Sequence, residues 1–234
     1  MITSIHNEHL KQIRKLARQR GREHAGAFVA EGEDLLASAD AAGWTARERY
    51  VAAGSGLDGV EVEPEVLARV SALGSGTRAL AVYEQRWSAP RGPLCVYLHA
   101  VADPGNVGAV VRAALAFGAA SIALGPGCAD PFGPRAVRAS MGAIFAVPVA
   151  RVQDTSALPG ERIALVPRAG EPLRGPPSGE ATLVVGAERD GLPPEVVRAC
   201  DRAAHIPIEA DSLNAAMAAT VALYELTRNR MADS

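Results

Sequence analysis

The chain has 234 residues, of which 48% are hydrophobic and 21% are charged, as is usual for a globular protein with a sizeable core. A net charge of −2 argues against a uniformly basic nucleic-acid binder, and no run of about twenty apolar residues predicts a membrane span. The scattered cysteines and histidines predict no disulfide framework and no metal site, and the polar N-terminus has no signal peptide, so a cytoplasmic protein without metal is expected.

Hydrophobic periodicity predicts a first, small α/β unit over residues 1–87. Its predicted elements are a basic helix near 5–22, a strand at 27–32, a helix at 33–43, a strand at 47–53, a helix near 64–73 and a strand at 79–85. Residues 88–92 lie in a stretch rich in proline and glycine and are predicted to be a linker.

The basic helix carries cations at spacings of three and four, which would place them on one face. These residues are Lys11, Arg14, Lys15, Arg18 and Arg22. Two interpretations stay open at this point. The face is either solvated, as on any amphipathic helix, or it contacts nucleic-acid phosphates and gains affinity by releasing counterions.

Residues 93–234 alternate more clearly between apolar strands and helices. The predicted strands are 94–99, 121–125, 144–149, 162–167, 181–186 and 204–208, and the predicted helices lie near 106–118, 134–142, 193–201 and 212–229. This alternation predicts a parallel sheet with helices on both faces. Because ligands bind such sheets beyond the carboxyl ends of the strands, the loops that begin at Gly105, Gly186 and Pro207 are the expected site.

The first of these loops opens the stretch DPGNVGAVVRAALAFGA, residues 103–119. Asn106 is predicted to cap the helix, and Arg112 is the one charged residue between Asp103 and Asp130. Small apolar residues surround Arg112, so both faces of the helix are expected to be buried, with a homodimer as the simplest source of the second surface. Arg112 then needs a partner, either a structural carboxylate or an anion bound at a shared cleft.

Two further stretches carry polar residues at strand ends. In VVGAERDGL, Gly186 allows a close approach of the backbone to a ligand and Glu188 follows in the loop, a weak signal by itself. In HIPIEADSLNAAMAA, Ser212 is the predicted N-cap of a nearly uncharged helix, and Asn214 lies in its first turn.

In this order, NxGxxxR, GxExxGL and IPI followed by SLN resemble the motifs of the SpoU/TrmH family of S-adenosylmethionine-dependent RNA 2′-O-ribose methyltransferases, within the SPOUT superfamily. ASMGAIFAVP, residues 139–148, is similar to the segment between the first two motifs. FVAEGEDLLASADAAGW, residues 28–44, resembles the L30e-like substrate-binding domain that many members carry.

The resemblance implies a parallel-sheet α/β domain with a C-terminal trefoil knot, preceded by a small L30e-like α/β domain. It implies S-adenosyl-L-methionine as cofactor, RNA as partner, and a homodimer formed through the knot. The residues that match catalytic positions are Asn106, Arg112, Glu188, Ser212 and Asn214. Those that match the cofactor loops are Gly186, Ile206, Pro207 and Leu213, while the basic face of the first helix becomes the candidate RNA contact.

Ribosomal RNA, in particular 23S rRNA, is favoured over tRNA because of the N-terminal domain and the lack of a long basic C-terminal tail. A non-catalytic RNA-binding protein of the same fold is the main alternative, and a Rossmann nucleotide enzyme ranks low because GxGxxG is missing after the first strand of either unit. Two departures stand out: only EAD separates IPI from SLN, and the short region 151–162 predicts a turn in place of a helix.

Overall fold

The computed structural model describes residues 1–72, 74 and 76–232, and side chains as far as residue 228. The chain forms two compact units. The N-terminal unit contains residues 1–85 together with 130–146, and the C-terminal unit contains 86–129 and the chain from 147 onward. The segment 130–146 lies within the sequence range expected for the second domain, yet it packs as part of the N-terminal unit.

The helices are α1 (Glu8–Leu16), α2 (Gln19–Ala25), α3 (Glu33–Ala41), α4 (Pro64–Val70), α5 (Pro104–Ala116), α6 (Pro134–Ser140), α7 (Pro194–Arg198) and α8 (Ala215–Ala232). The strands are β1 (Ala27–Glu31), β2 (Glu48–Ala52), β3 (Val60–Val62), β4 (Ala79–Glu84), β5 (Trp87–Ser88), β6 (Leu94–Leu98), β7 (Ser121–Leu124), β8 (Val149–Arg151), β9 (Glu161–Leu165), β10 (Glu171–Pro172), β11 (Ala181–Val185) and β12 (Arg202–His205). Residue 73, the last residue of the helix predicted near 64–73, lies outside the described residues. No helix in the described part of the chain has the length and apolar character needed to cross a bilayer.

The sheet of the N-terminal unit has the order β1-β4-β2-β3. β4 runs antiparallel to both of its neighbours, and β3 pairs parallel with β2. The amphipathic helices α1 and α4 cover one face, where Leu10, Ile13 and Leu67 join a continuous apolar core. β3 was not predicted from the sequence. Two of its three residues are exposed, so the strand shows no alternation of apolar and polar residues.

Aromatic side chains cover the opposite face of this sheet. The ring of Phe28 on β1 lies 4.9 Å from that of Phe132, and the ring of Tyr83 on β4 lies 5.1 Å from that of Phe145. The indole of Trp44 donates a 2.8 Å hydrogen bond to the carbonyl oxygen of Phe145. The segment 130–146 therefore supplies part of the hydrophobic core of the N-terminal unit, where large aromatic residues dominate the energy of packing.

The strand predicted at 144–149 is wrong over most of its length. Met141 and Gly142 have φ of 49° and 88°, and this left-handed pair turns the chain after α6. The next residues, Ala143–Phe145, form a 3₁₀ turn that directs Phe145 into the aromatic cluster, and β8 begins only at Val149. A short apolar run has the same composition in either structure, so periodicity could not separate them. The turn predicted within 151–162 is confirmed as a 3₁₀ turn at Thr155–Ala157.

The single basic helix predicted near 5–22 is also wrong, because the chain breaks into α1 and α2. Arg18 has extended backbone, and a side chain at Gly21 would meet the carbonyl oxygen of Lys15 at 2.1 Å, so a glycine is needed at this close crossing. Arg14, Lys15 and Arg18 are exposed as expected, and Lys11 pairs with Glu8 at 2.7 Å.

Arg22 does not belong to the exposed basic face, which corrects its expected role as an RNA contact. It is 4% exposed, and its guanidinium pairs with the buried carboxylate of Asp130 at 2.7 Å. It also donates to the carbonyl oxygens of Leu16 and Ala17, which are orphan acceptors at the end of α1. This ion pair joins the N-terminal helices to segment 130–146 within one unit.

The C-terminal unit contains an eight-stranded sheet of order β10-β12-β9-β11-β6-β7-β8-β5, in which the recorded pairs are parallel. Tyr97, Val184 and their neighbours pack against α7, while α5 and α8 pack together on the other side of the sheet. The predicted parallel sheet with helices on both faces is confirmed. The two-residue edge strands β5 and β10 are too short to leave a periodic signal.

Replacing Arg22 with Met should lower the free energy of unfolding of the N-terminal unit by about 3–5 kcal/mol, because it leaves the carboxylate of Asp130 buried without a partner. Denaturant unfolding followed by the fluorescence of Trp44 measures this loss. Arg47→Met is the control, since Arg47 and Glu84 form an exposed pair whose loss should cost under about 1 kcal/mol. Equal losses in both variants would contradict the assignment.

Candidate active site

A cleft of about 390 Å³ opens at the carboxyl ends of β9 and β11. Its walls are the residues that end β9 (165–167), the loop after β11 (186–192), the loop between β12 and α8 (206–213) and the first turn of α8. This position agrees with the expectation that ligands of parallel sheets bind beyond the carboxyl ends of the strands. The sequence had indicated the second and third of these walls.

The lining of the cleft combines apolar surface with acidic groups. Leu165, Ile206 and Leu213 provide apolar walls. The carboxylates of Glu188, Asp190 and Asp211 line the same cleft, where Arg189 supplies the opposing charge. Such a lining suits a ligand with a flat apolar part and at least one positive group.

Gly186 brings the end of β11 against the loop that follows it. A side chain there would place its first carbon 2.3 Å from the carbonyl group of Gly191 and 2.6 Å from the amide nitrogen of Leu192. The loop is held in this position by a bridge between Ala187 and Gly191, in which the Gly191 N–H donates to the Ala187 carbonyl at 3.0 Å. Glycine at position 186 is therefore required by a close backbone approach.

A chain of side-chain hydrogen bonds links the three polar motifs. The amide nitrogen of Asn106 donates to a carboxylate oxygen of Glu188. The amide nitrogen of Asn214 donates to the amide oxygen of Asn106 at 3.1 Å. The three residues lie on three different segments of the C-terminal unit, so the fold brings together positions that are 82 and 108 residues apart in the sequence.

Asn106 can make both contacts because it does not cap its helix, as the sequence had predicted it would. The N-cap of α5 is Asp103, whose side chain accepts the Asn106 backbone N–H at 3.0 Å, and Pro104 occupies the first helical position. The earlier cap moves Asn106 into the first turn, where its amide points away from the helix backbone.

Asn214, and not Ser212, caps α8. The side-chain oxygen of Asn214 accepts the N–H groups of Ala216 at 2.9 Å and Met217 at 3.3 Å. Ser212 lies exposed at the edge of the cleft. Asn214 therefore holds the start of α8 with its oxygen and Asn106 with its nitrogen.

Arg112 lies on the exposed side of α5, and no ion pair or hydrogen bond of its guanidinium is recorded within the described residues. The buried outer face that we expected for this helix is not found in the single chain. Four exposed apolar side chains, which we call the α5–α8 face, lie on this helix and on α8: Leu115 (48% exposed), Met217 (58%), Val221 (41%) and Tyr224 (53%). A 6.2 Å ring contact between Phe117 and Tyr224 joins the two helices.

The cofactor positions implied by the motifs divide between two clefts. Gly186, Ile206 and Leu213 line the cleft at β9 and β11, whereas Pro207 lines a neighbouring one beside Arg168. The wall at residues 165–167 was not predicted from the sequence. The signal that identifies this wall is the position of β9 next to β11 in the sheet, which follows from strand order and not from local sequence.

Comparison with known proteins agrees with this geometry. The SpoU rRNA methylase family matches residues 93–224, and the MRM3-like substrate binding domain matches residues 7–82. The chain is 31% identical to the uncharacterized tRNA/rRNA methyltransferase slr1673 of Synechocystis, with 100% of this chain and 95% of that protein covered. It is 28% identical to the 23S rRNA (guanosine(2553)-2′-O)-methyltransferase RlmP of Bacillus subtilis, covering 96% and 98%.

A solved structure is similar over the same extent. The AdoMet-bound rRNA methyltransferase from Sinorhizobium meliloti superposes with a TM-score of 0.87 at 31% identity, covering 97% of both chains. Because the family match covers more than half of the chain and a full-length relative exceeds 30% identity, the chain belongs to the SpoU family of S-adenosylmethionine-dependent RNA 2′-O-ribose methyltransferases.

Proposed function

We propose that this protein methylates a ribose 2′-hydroxyl in ribosomal RNA, with 23S rRNA as the favoured substrate and tRNA as the alternative. The observation that carries the proposal is the chain of hydrogen bonds from Asn214 through Asn106 to Glu188 beside the cleft. The names of two relatives, RlmP and the Sinorhizobium meliloti enzyme, support rRNA. The match of residues 7–82 to a substrate binding domain supports a large structured substrate.

The cleft at β9 and β11 is the proposed site of S-adenosylmethionine, which supplies a methyl group on a positively charged sulfur when bound. The residues present fit this molecule. The apolar side chains of Ile206 and Leu213 suit its adenine ring, and the carboxylates of Glu188 and Asp190 balance its positive groups. Because position 186 has no side chain, the loop at Gly191 packs directly against the end of β11, and the space beside it stays open for the ligand.

Arg112 is the proposed contact with the reacting ribose. A guanidinium is a poor general base, so we assign Arg112 an electrostatic role: it stabilises the developing alkoxide and binds the adjacent phosphate with two parallel hydrogen bonds. Arg112 follows Asn106 by six residues on α5, about 9 Å along the helix axis. The hydrogen bonds that fix Asn106 to Glu188 and Asn214 thus also fix the helix that carries Arg112. Ser212, at the cleft edge, is proposed to contact the substrate backbone.

The α5–α8 face supports a homodimer. The four apolar side chains of this face are each at least 41% exposed, and large exposed apolar patches mark interaction surfaces, of which a second copy of the chain is the one we propose. Because Arg112 lies on the same helix, a second subunit packed against this face would also enclose the space around the guanidinium. We propose that the last third of the chain forms the trefoil knot of the family at this interface, and that the protein acts in the cytoplasm, where its RNA substrate is found.

In the N-terminal unit, Arg14, Lys15 and Arg18 remain the proposed RNA contacts on α1 and at the start of α2, with Lys11 beside them. Their exposure supports this role. Each contact made with a phosphate would contribute by releasing a counterion, and would therefore weaken as salt is added.

Gly186→Ala should weaken S-adenosylmethionine binding by about 10–100-fold, because the added carbon forces the loop at Gly191 away from β11. Isothermal titration calorimetry measures the dissociation constant. Gly179→Ala is the matched control in the same unit, since no atom lies within 4 Å of the position of its added carbon. Tight binding by the Gly186 variant would remove the cleft from consideration.

Arg112→Ala should lower the rate of methyl transfer by about 10²–10³-fold, the usual loss on removing one donor to a developing oxyanion. Arg112→Lys should also fail, since an ammonium lacks the planar pair of donors. Transfer of tritiated methyl to unmethylated 23S rRNA measures the rate, and Arg174→Ala, at another exposed arginine of the unit, serves as control. The role is refuted if Arg112→Ala loses cofactor binding instead.

Leu115→Glu combined with Val221→Glu should convert the dimer to a monomer, because two carboxylates would be buried without partners at the α5–α8 face. Size-exclusion chromatography with light scattering measures the mass. Val60→Glu, at an apolar residue of the N-terminal unit that is 46% exposed, should leave the dimer intact. A monomeric parent protein would contradict the interface outright.

A further inference from the structure

Helix α6 belongs to the N-terminal unit although it follows β7 of the other unit in the chain. Ala136, Val137 and Ser140 form its buried side, and the helix packs against β1. Its outward side carries Arg138, which is exposed, and the residue that ends the helix is Met141, 52% exposed. Neither the substrate-domain match at residues 7–82 nor the basic face of α1 includes this surface.

The charge along the α6 segment has one sign. Residues 131–146 contain arginines at 135 and 138 and no aspartate or glutamate. Two other exposed arginines of the same unit are neutralised, since Arg47 pairs with Glu84 and Arg78 pairs with Glu33 at 3.3 Å. Within the part of the chain that the structure describes, no carboxylate is recorded in an ion pair with Arg138.

The guanidinium of Arg138 stands beside open space. A cleft of about 600 Å³ is lined by Arg138, Gly32 and Arg78, together with the acidic residues Glu33 and Asp34, of which Glu33 is paired with Arg78. A side chain at Gly32 would come within 3.4 Å of Nη1 of Arg138, so the glycine leaves this nitrogen accessible from the cleft. A phosphate can therefore approach Arg138 past Gly32 without displacing a packed side chain, and Asp34 is the one acidic residue of this lining for which no ion pair is recorded within the described residues.

Met141 adds an apolar group next to this cation. Its φ of 49° is uncommon for a residue other than glycine, and the backbone presents the thioether outward at the end of the helix. A flexible, polarizable methionine makes favourable contacts with aromatic rings, and nucleobases offer such rings.

We propose that Arg138 and Met141 form an RNA-contact surface, in which Arg138 binds a backbone phosphate and Met141 packs against the neighbouring base. The inference rests on the proposed function, because it takes RNA as the substrate. It extends the substrate-binding surface onto a helix that lies in the sequence range of the methyltransferase family match. The exposed guanidinium of Arg138, for which no ion pair is recorded among the described residues, favours a phosphate as the occupant, and a guanidinium binds phosphate with two parallel hydrogen bonds.

A purely structural role for Arg138 predicts different behaviour. The arginine lies in the last turn of α6, where a cation stabilises the helix dipole. Removing that role would lower the melting temperature and leave the salt dependence of RNA binding unchanged. Removing a phosphate contact instead changes the salt dependence, by about 0.7–0.9 in the slope of log K against log salt concentration for each phosphate that the protein no longer neutralises.

The chain offers a matched control in Arg69. α4 and α6 each have seven residues, each begins with proline, and each carries an exposed arginine in its last turn. α4 lies on the opposite face of the N-terminal sheet, in the core formed with α1. Arg69→Ala therefore reproduces any effect on helix stability without touching the proposed surface.

The test measures binding of the full-length protein to unmethylated 23S rRNA, transcribed in vitro, over a series of potassium chloride concentrations. We expect Arg138→Ala to weaken binding severalfold and to lower the salt slope by the amount that corresponds to one phosphate. Arg138→Lys should retain the slope, and Met141→Ala should weaken binding without altering it. Arg69→Ala should match the parent protein.

An unchanged salt slope in Arg138→Ala, or an equal loss of affinity in Arg69→Ala, would overturn the proposal. Calorimetry with S-adenosylmethionine separates this failure from that of the proposed function. If the parent protein binds the cofactor and the RNA while Arg138→Ala binds RNA as the parent does, only the α6 surface is wrong. If the parent protein itself binds no RNA, the proposed function fails first.

Discussion

The side-chain amide of Asn106 is the interaction on which the site depends. It donates to Glu188 in the loop after β11 and accepts from Asn214 at the start of α8, so one planar group fixes three segments. A carboxylate in its place could not donate to Glu188, and an aliphatic side chain could make neither bond. The position of the helix that carries Arg112 and the position of the loop after β11, the proposed cofactor loop, are therefore set by the same pair of hydrogen bonds.

The sheet could be predicted from local sequence, whereas the residues that cap the two helices of the site could not. Apolar runs separated by helices predicted the parallel sheet, because each buried strand needs cover on both faces. The caps were assigned to the wrong residues at both helices of the site. Asp103 and Asn106 are both suitable N-caps, as are Ser212 and Asn214, and no local pattern shows that the side chain of Asn106 bonds Asn214 across the fold while Asp103 caps α5.

The two other differences between the predicted and the observed elements also arise from contacts with residues far away in the sequence. The spacing of cations over 11–22 fits one helix. In the structure Arg22 is buried in an ion pair with Asp130, and the chain forms two helices, α1 and α2, in place of one. The apolar run at 144–149 fits a strand, but the rings of Trp44 and Tyr83 leave room for Phe145, which turns towards them. In each case a residue far away in the sequence decides the local structure, and no periodicity records a partner at that distance.

The N-terminal unit is completed only by residues 130–146, and this has a consequence for how the protein is made. Phe28 on β1 and Tyr83 on β4 pack against Trp44, but the rest of their cover is missing until Phe132 and Phe145 have left the ribosome. During synthesis the unit that is translated first therefore keeps part of its apolar face uncovered while the first strands of the other unit emerge. The order in which the two units mature need not follow the order in which they are translated, and the two cannot be exchanged between relatives by a single cut in the gene.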